Sequence, residues 1–169
     1  MLARSSETDA FWQAFRHYIG LEHDNYVVGS FGDSPEMATK LTDLVIARTE
    51  RATASLARDY GEGRDPIPKP GDFAMILDGE GRPQFIWRTT EVTIKPLSQV
   101  DEALLGTRVK GTARETGGSM LIAGISPGRP AVKDSEFDGD IPTVFERFEV
   151  VWPIAVADVI TGATSASTR

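Results

Sequence analysis

Four arginines are the residues best suited to hold an anionic ligand. Arg48, Arg51 and Arg58 lie within one short stretch, and Arg88 follows later in a predicted strand. The whole chain carries a formal net charge of −7 and has a pI of about 4.9. This balance argues against the broad basic surface that duplex-binding proteins usually show. Any contact with nucleic acid must therefore use a local basic pocket, for which these arginines are the candidates.

The composition offers little material for metal or thiol chemistry. The chain has no cysteine, which removes disulfides, thiolate nucleophiles and cysteine metal sites together. His17 and His23 are too few for a histidine-rich metal site, and no Ser/His/Asp triad can be placed. The segment from Asp78 to Gly81 lies between two strand patterns, so it indicates a hairpin turn and not a cation-binding loop. We predict neither a metal nor a cofactor.

Two helices are predicted in the first third of the chain. Apolar residues at helical spacing predict a helix from about Thr8 to Ile19, closed by Gly20. A second helix begins after Ser34, a favourable N-cap followed by a proline, and runs to about Arg48. These helices precede the predicted strands and must pack beside them.

Several short strands follow. We predict strands over Arg51–Leu56 and Pro142–Val151, with a β-hairpin formed by residues 73–77 and 84–92. Two helices followed by short strands indicate an α+β fold with a small barrel or curled sheet. The chain after Pro153 is rich in small polar residues and is predicted to be a disordered tail, residues 154–169.

The length and hydropathy of the chain also limit the class of protein. The 169 residues suit one domain, and no apolar run of about 18 residues predicts a membrane span. The first seven residues are too polar for a secretory signal, so we expect a cytoplasmic protein. The oligomeric state cannot be predicted from these features.

An ordered set of segments resembles the larger bacterial branch of the ASCH domain family, which has a PUA-like β-barrel. The resemblance covers about residues 8–103 and 136–153 and implies one domain over 1–153, a barrel with two N-terminal helices packed beside it. The segments that carry it are Phe31–Ala38, Arg51–Ser55, Lys69–Asp72, Leu77–Gly79, Arg88–Val92 and Pro142–Val151.

The resemblance also implies a site. Family members are proposed to hold RNA or a nucleoside in a cleft, and their shared motif is Gly-x-Lys-x-x-Thr-x-Arg. In this chain Arg48 stands at the glycine, Glu50 at the lysine, Thr53 at the threonine and Ser55 at the arginine. Thr53 is thus the catalytic candidate, and Glu50 should be non-functional because it reverses the lysine's charge. The ligand-binding candidates are Arg48, Arg51, Ser55, Arg58 and Arg88.

Three functions stay open at this point. The first is binding of single-stranded RNA or a nucleotide, with weak or no catalysis. The second is hydrolysis of single-stranded RNA or a modified nucleoside, since some relatives cleave RNA and some hydrolyse N4-acetylcytidine. The third is a decayed, inactive family member, because the motif has lost its upstream glycine and lysine.

Residues 104–135 do not resemble the family. Residues 105–133 contain six glycines and five Arg or Lys against one acid, so we predict an atypical, flexible segment. If each codon starts one base earlier, Thr116–Gly128 can encode Trp-Trp-Leu-Asp-Ala-His-Arg-Arg-Tyr-Phe-Ala-Arg, which resembles the family's aromatic helix. We therefore hypothesise two compensating frameshifts around this segment, which the nucleotide sequence of the gene would test.

Overall fold

The computed structural model describes residues 2–32, 34–48, 50–96, 99 and 142–158. Five strands form one sheet in the order β1-β3-β4-β5-β2. The predictions for residues 104–135 and for the tail beyond 158 lie outside the described residues. The elements are α1 Ser6–Ile19, β1 Val27–Ser30, α2 Pro35–Ile46, β2 Ala52–Leu56, a 3-10 turn Ala57–Asp59, β3 Phe73–Leu77, β4 Pro83–Pro96 and β5 Pro142–Trp152.

The caps define the ends of both helices. Ser5 and Thr8 form a reciprocal capping box, so α1 begins two residues before the predicted start, and Gly20 closes it in the left-handed conformation. Ser34 accepts a hydrogen bond from the amide of residue 37 and begins α2 as predicted. The helix ends before Arg48, whose φ of 62° is left-handed and incompatible with an α-helix. Neither helix is long and apolar enough to cross a membrane.

The sheet is mainly antiparallel. β3 pairs with β4 through the predicted hairpin, and β1 joins the other side of β3 in parallel. β4 then pairs along its length with β5, which also pairs with β2. The register of β4 shifts between Thr89 and Glu91, where a bulge leaves one extra residue. Such bulges bend a strand, and here the bend falls between the half of β4 that pairs with β3 and the half that does not.

The core has two parts, one on each face of the sheet. Alternate residues of β3 and β4 supply the two clusters, because successive strand side chains point to opposite faces. α2 packs on the cluster around Ile76, Trp87 and Phe148, whereas α1 supplies Trp12 and Phe15 to the other cluster. The prediction of an α+β fold, with two N-terminal helices packed beside a curled half-barrel sheet, is therefore confirmed.

Candidate functional site

A cavity of about 390 Å³ lies at the end of the sheet where β1 and β3 begin. This volume is within the usual range of small-molecule sites. Its wall combines aromatic and proline carbons with carboxyl, hydroxyl and amide groups. The residues that line it are Arg4, Asn25, Tyr26, Val27, Val28, Tyr60, Asp65, Pro66, Pro68, Asp72, Phe73, Ala74, Thr89 and Glu146.

Glu146 is the innermost acidic group of this cavity. It lies on β5, its residue is only 4% exposed, and its Oε1 accepts a 2.5 Å hydrogen bond from the hydroxyl of Thr89. Burial raises the pKa of this carboxyl to about 7, and the charge of Asp72 adds to the rise. The Thr89 hydroxyl and the Trp87 indole N–H act in the opposite direction and lower the pKa of Glu146. The indole N–H lies near the carboxyl without forming a hydrogen bond of normal geometry. A carboxyl with this pKa can donate or accept a proton near neutral pH.

A second polar group faces the cavity from the loop after β2. The hydroxyl of Tyr60 lies 2.6 Å from the Oγ of Ser55, and either can be the donor. Burial raises the pKa of Tyr60, and the nearby charges of Glu146, Asp59 and Asp65 raise it further. Tyr60 therefore stays protonated at neutral pH and can donate a hydrogen bond to a ligand or to Ser55.

Thr53 lies next to this site. It stands directly opposite Glu146 in the β2–β5 ladder, so the two side chains share one face of the sheet. Thr53 is 8% exposed and Ser55 is 7% exposed, and neither lines the cavity itself. The structure thus places Thr53 beside Glu146 and Ser55 against Tyr60, so that both adjoin residues of the cavity lining.

Arg51 lies outside the cavity lining and connects separate parts of the fold. Its guanidinium makes two 2.7 Å hydrogen bonds to the carboxylate of Asp158 and donates to the backbone oxygens of Val45 and Glu50. Asp158 also accepts from the amide of Val150. Residues 154–158, which the sequence analysis assigned to the tail, are thereby joined to α2 and β5.

The other predicted residues are also separate from the cavity lining. Arg48 donates to the backbone oxygen of Ala157, and Arg88 pairs with Glu149 across the β4–β5 ladder. Arg58 is exposed on the 3-10 turn, and Glu50 is half-buried just before β2. Arg48 and Arg51 lie together at residues 157–158, whereas Arg58 and Arg88 lie elsewhere, and none of the four lines the cavity. Their role in binding a ligand stays a prediction.

The similarities of this chain to known proteins agree with the fold. Residues 27–106 match the family model of the ASCH domain. The chain therefore carries an ASCH domain. A crystal structure of a DUF984-family protein from Enterococcus faecalis V583 is 29% identical, with a TM-score of 0.65, over 86% of this chain and 92% of that one. No curated protein matches.

A crystal structure of an ASCH domain from Lactobacillus crispatus JV V101 also matches. It is 18% identical with a TM-score of 0.65, over 89% of this chain and 97% of that one, so it supports the fold alone. The family match ends at residue 106, close to the start of the atypical segment at 104. The frameshift hypothesis remains a prediction.

The sequence analysis did not select Glu146 as a site residue of this ASCH domain. The signal was present in the strand pattern, because Val144, Phe148 and Val150 are inward-facing at a spacing of two, which places Glu146 inward as well. A carboxyl at such a position is a candidate for function. Among the described residues, no group of three or more metal-ligating side chains forms a metal site.

Proposed function

We propose that this ASCH domain binds a nucleoside or nucleotide, free or within single-stranded RNA, by placing the base in the cavity beside Glu146. The family of RNA-binding-like domains to which it belongs supports this ligand class. The observation that carries the proposal is a buried carboxyl with a pKa of about 7 inside a cavity of about 390 Å³. We further propose weak or no catalysis and a cytoplasmic location.

The chemistry of the wall suits an unpaired base. Proteins read such bases through hydrogen bonds to their edges and through apolar contact with their faces. Glu146 offers two acceptors when ionised, or one donor and one acceptor when protonated. Tyr60 and Asn25 add further polar groups, and the prolines of the 60–72 loop supply apolar surface.

Calorimetric titration with the common nucleosides, their monophosphates and short single-stranded RNA tests this proposal. Glu146→Gln should weaken binding of the preferred ligand by about tenfold to a hundredfold, because a lost charged hydrogen bond costs about 1.5–3 kcal/mol. The matched control is Glu149→Gln, three residues further along β5 and paired with Arg88 on the opposite face.

Two results would overturn the proposal. One is that none of these ligands binds the unmodified protein at millimolar concentration. The other is that Glu149→Gln weakens binding as much as Glu146→Gln, which would place the ligand elsewhere.

A second candidate is hydrolysis of RNA or of a modified nucleoside. It is favoured by the position of the Thr53 hydroxyl opposite Glu146, since a base beside a hydroxyl can activate it as a nucleophile. Thr53→Val keeps the shape and should abolish any turnover that Glu146→Gln also abolishes. Glu50→Lys restores the family's motif lysine, and a gain of hydrolysis without a gain of binding would favour this candidate.

The decayed alternative predicts a different behaviour. A decayed chain should lack a cooperative thermal transition, whereas a functional domain should melt in one step. We expect cooperative melting, because the described core is well packed and the cavity carboxyl retains its hydrogen-bond donor.

A further inference from the structure

The cavity lining contains more acidic than basic side chains. Three lining residues are acidic, namely Glu146 at the interior, Asp65 half-buried in the loop, and Asp72 at the exposed rim. Of the described residues that line the cavity, Arg4 carries the positive charge. A ligand in this cavity therefore meets more negative than positive charge.

Arg4 is already engaged by groups of the protein. Its guanidinium donates to the carboxylate of Asp24 at 3.2 Å and to the backbone oxygens of Asp24 and Tyr26. It also lies 3.9 Å from the centre of the Tyr26 ring, in a cation–π contact. Asp24, which also pairs with Arg16 at 3.4 Å, balances part of the charge of Arg4, so Arg4 only partly offsets the three acids of the lining.

The negative field acts on the cavity's own groups. After burial, the largest cause of its raised pKa, Glu146 is further disfavoured as an anion by Asp72. Burial also raises the pKa of Tyr60, and the charges of Glu146 and Asp65 add to that rise. The charges of nearby acids thus raise the pKa values of two groups on different elements.

We propose that the preferred ligand is an unphosphorylated nucleoside whose base carries a positive charge, such as one methylated on a ring nitrogen. This inference rests on the proposed function and specifies its substrate class. A cationic base beside Glu146 would favour the ionised carboxylate and be attracted by Asp72 and Asp65. A phosphate would be repelled by the same three groups.

Isomeric nucleosides provide the test. 1-Methyladenosine and N6-methyladenosine have the same atoms, but at neutral pH the first is a cation and the second is neutral. 3-Methylcytidine and N4-methylcytidine form a second such pair. We expect the cationic isomer of at least one pair to bind about tenfold more tightly in calorimetric titration, and its 5′-monophosphate to bind more weakly than the nucleoside.

Two variants test whether the acids of the cavity cause the preference for cationic nucleosides. Asp72→Asn can still accept the hydrogen bond that the Lys69 amide donates to the carboxylate, and it should reduce the preference for the cation about two- to threefold. Asp43→Asn removes one negative charge from the exposed face of α2, outside the cavity, and should leave that preference unchanged.

The outcomes separate this inference from the proposed function. If neutral nucleosides or phosphorylated ligands bind as tightly as the cations, the inference is wrong and the proposed function stands. Equal loss of the preference in Asp72→Asn and Asp43→Asn would also overturn it. If no nucleoside, nucleotide or RNA binds at all, the proposed function itself fails.

Discussion

Two carboxylates, Glu146 on β5 and Asp158 bound to the Val150 amide of the same strand, have pKa values displaced in opposite directions. Glu146 is buried beside a hydroxyl and near another acid, and burial raises its pKa to about 7. Asp158 is also partly desolvated, yet two hydrogen bonds from Arg51 and one from the Val150 amide hold its pKa below the ordinary value. Burial decides the direction at Glu146, whereas at Asp158 the hydrogen-bond partners outweigh a smaller degree of burial.

This contrast explains how the chain uses its arginines. Arg51, which the sequence analysis predicted as a ligand-binding cation, neutralises Asp158 and donates to the Val45 carbonyl near the end of α2. Glu146 accepts its hydrogen bond from the neutral hydroxyl of Thr89, so its charge is left for a proton or a ligand. In the described residues, positive charge stabilises the fold and negative charge shapes the cavity.

The largest expected effect comes from Glu146→Gln. Because the folded pKa of about 7 exceeds the ordinary 4.5, the folded protein binds more protons than the unfolded chain between these values. Stability should fall by roughly 3 kcal/mol as pH rises from about 4.5 to 7, and the variant should lack this fall. Urea denaturation of both proteins across this pH range measures the difference.

Glu149→Gln serves as the reference for that experiment. It keeps Glu146 intact, so its stability should follow the pH profile of the unmodified protein with at most a constant offset. A parallel profile for Glu146→Gln and the unmodified protein would show that the Glu146 carboxyl titrates normally.

Arg51→Ala should have the next largest effect, a loss of about 2 kcal/mol at pH 7. Removing the guanidinium leaves Asp158 partly buried with its main partner gone, although its 25% exposure moderates the cost. The pKa of Asp158 is lowered in the fold, so the lost stability should be greatest above the ordinary pKa of Asp and diminish as pH falls. Thermal melts at pH 7 and pH 3 would measure both.

Arg88→Ala is the matched control for that variant. Arg88 also pairs with a strand glutamate, but its side chain is 43% exposed, so the expected loss is at most about 1 kcal/mol. Equal losses from the two variants would contradict the structural role given to Arg51.

The smallest expected effect comes from Thr89→Val. This change removes the hydroxyl that favours the charged form of Glu146, so the pKa of that carboxyl should rise further. The midpoint of the pH-dependent stability change should move to higher pH, with about 1 kcal/mol lost at pH 8. An unchanged midpoint in urea titrations would mean that the hydrogen bond contributes nothing in solution.

Local sequence patterns were sufficient to predict most of the fold. Ser34 at the start of α2, Gly20 at the end of α1, and the Asp78 turn each act on neighbouring residues, and all three were identified. In the turn, Asp78 accepts hydrogen bonds from the amides of Glu80 and Arg82. Such short-range interactions can be predicted from the sequence without knowledge of the strand pairing.

The candidate site depended on contacts that sequence spacing does not reveal. Arg51 meets Asp158 across 107 positions, and Thr89 meets Glu146 across 57. The strand pattern shows that Glu146 faces inward, but not that a cavity lies beside it. The motif predicted Thr53 near the site, and the ladder places it opposite Glu146, whereas the positions of the arginines required the tertiary structure.

The bulge in β4 makes the site sensitive to the number of residues as well as to their identity. Thr89 and Val92 are three positions apart, yet both share a face with Glu146, because the extra residue between them changes the alternation. Deletion of Thr90 alone would restore regular alternation, so Val92 would keep its place opposite Glu146 while the strand lost its bulge. A relative that conserves every side chain of this cavity but lacks one residue here would thus have a straighter strand beside its pocket.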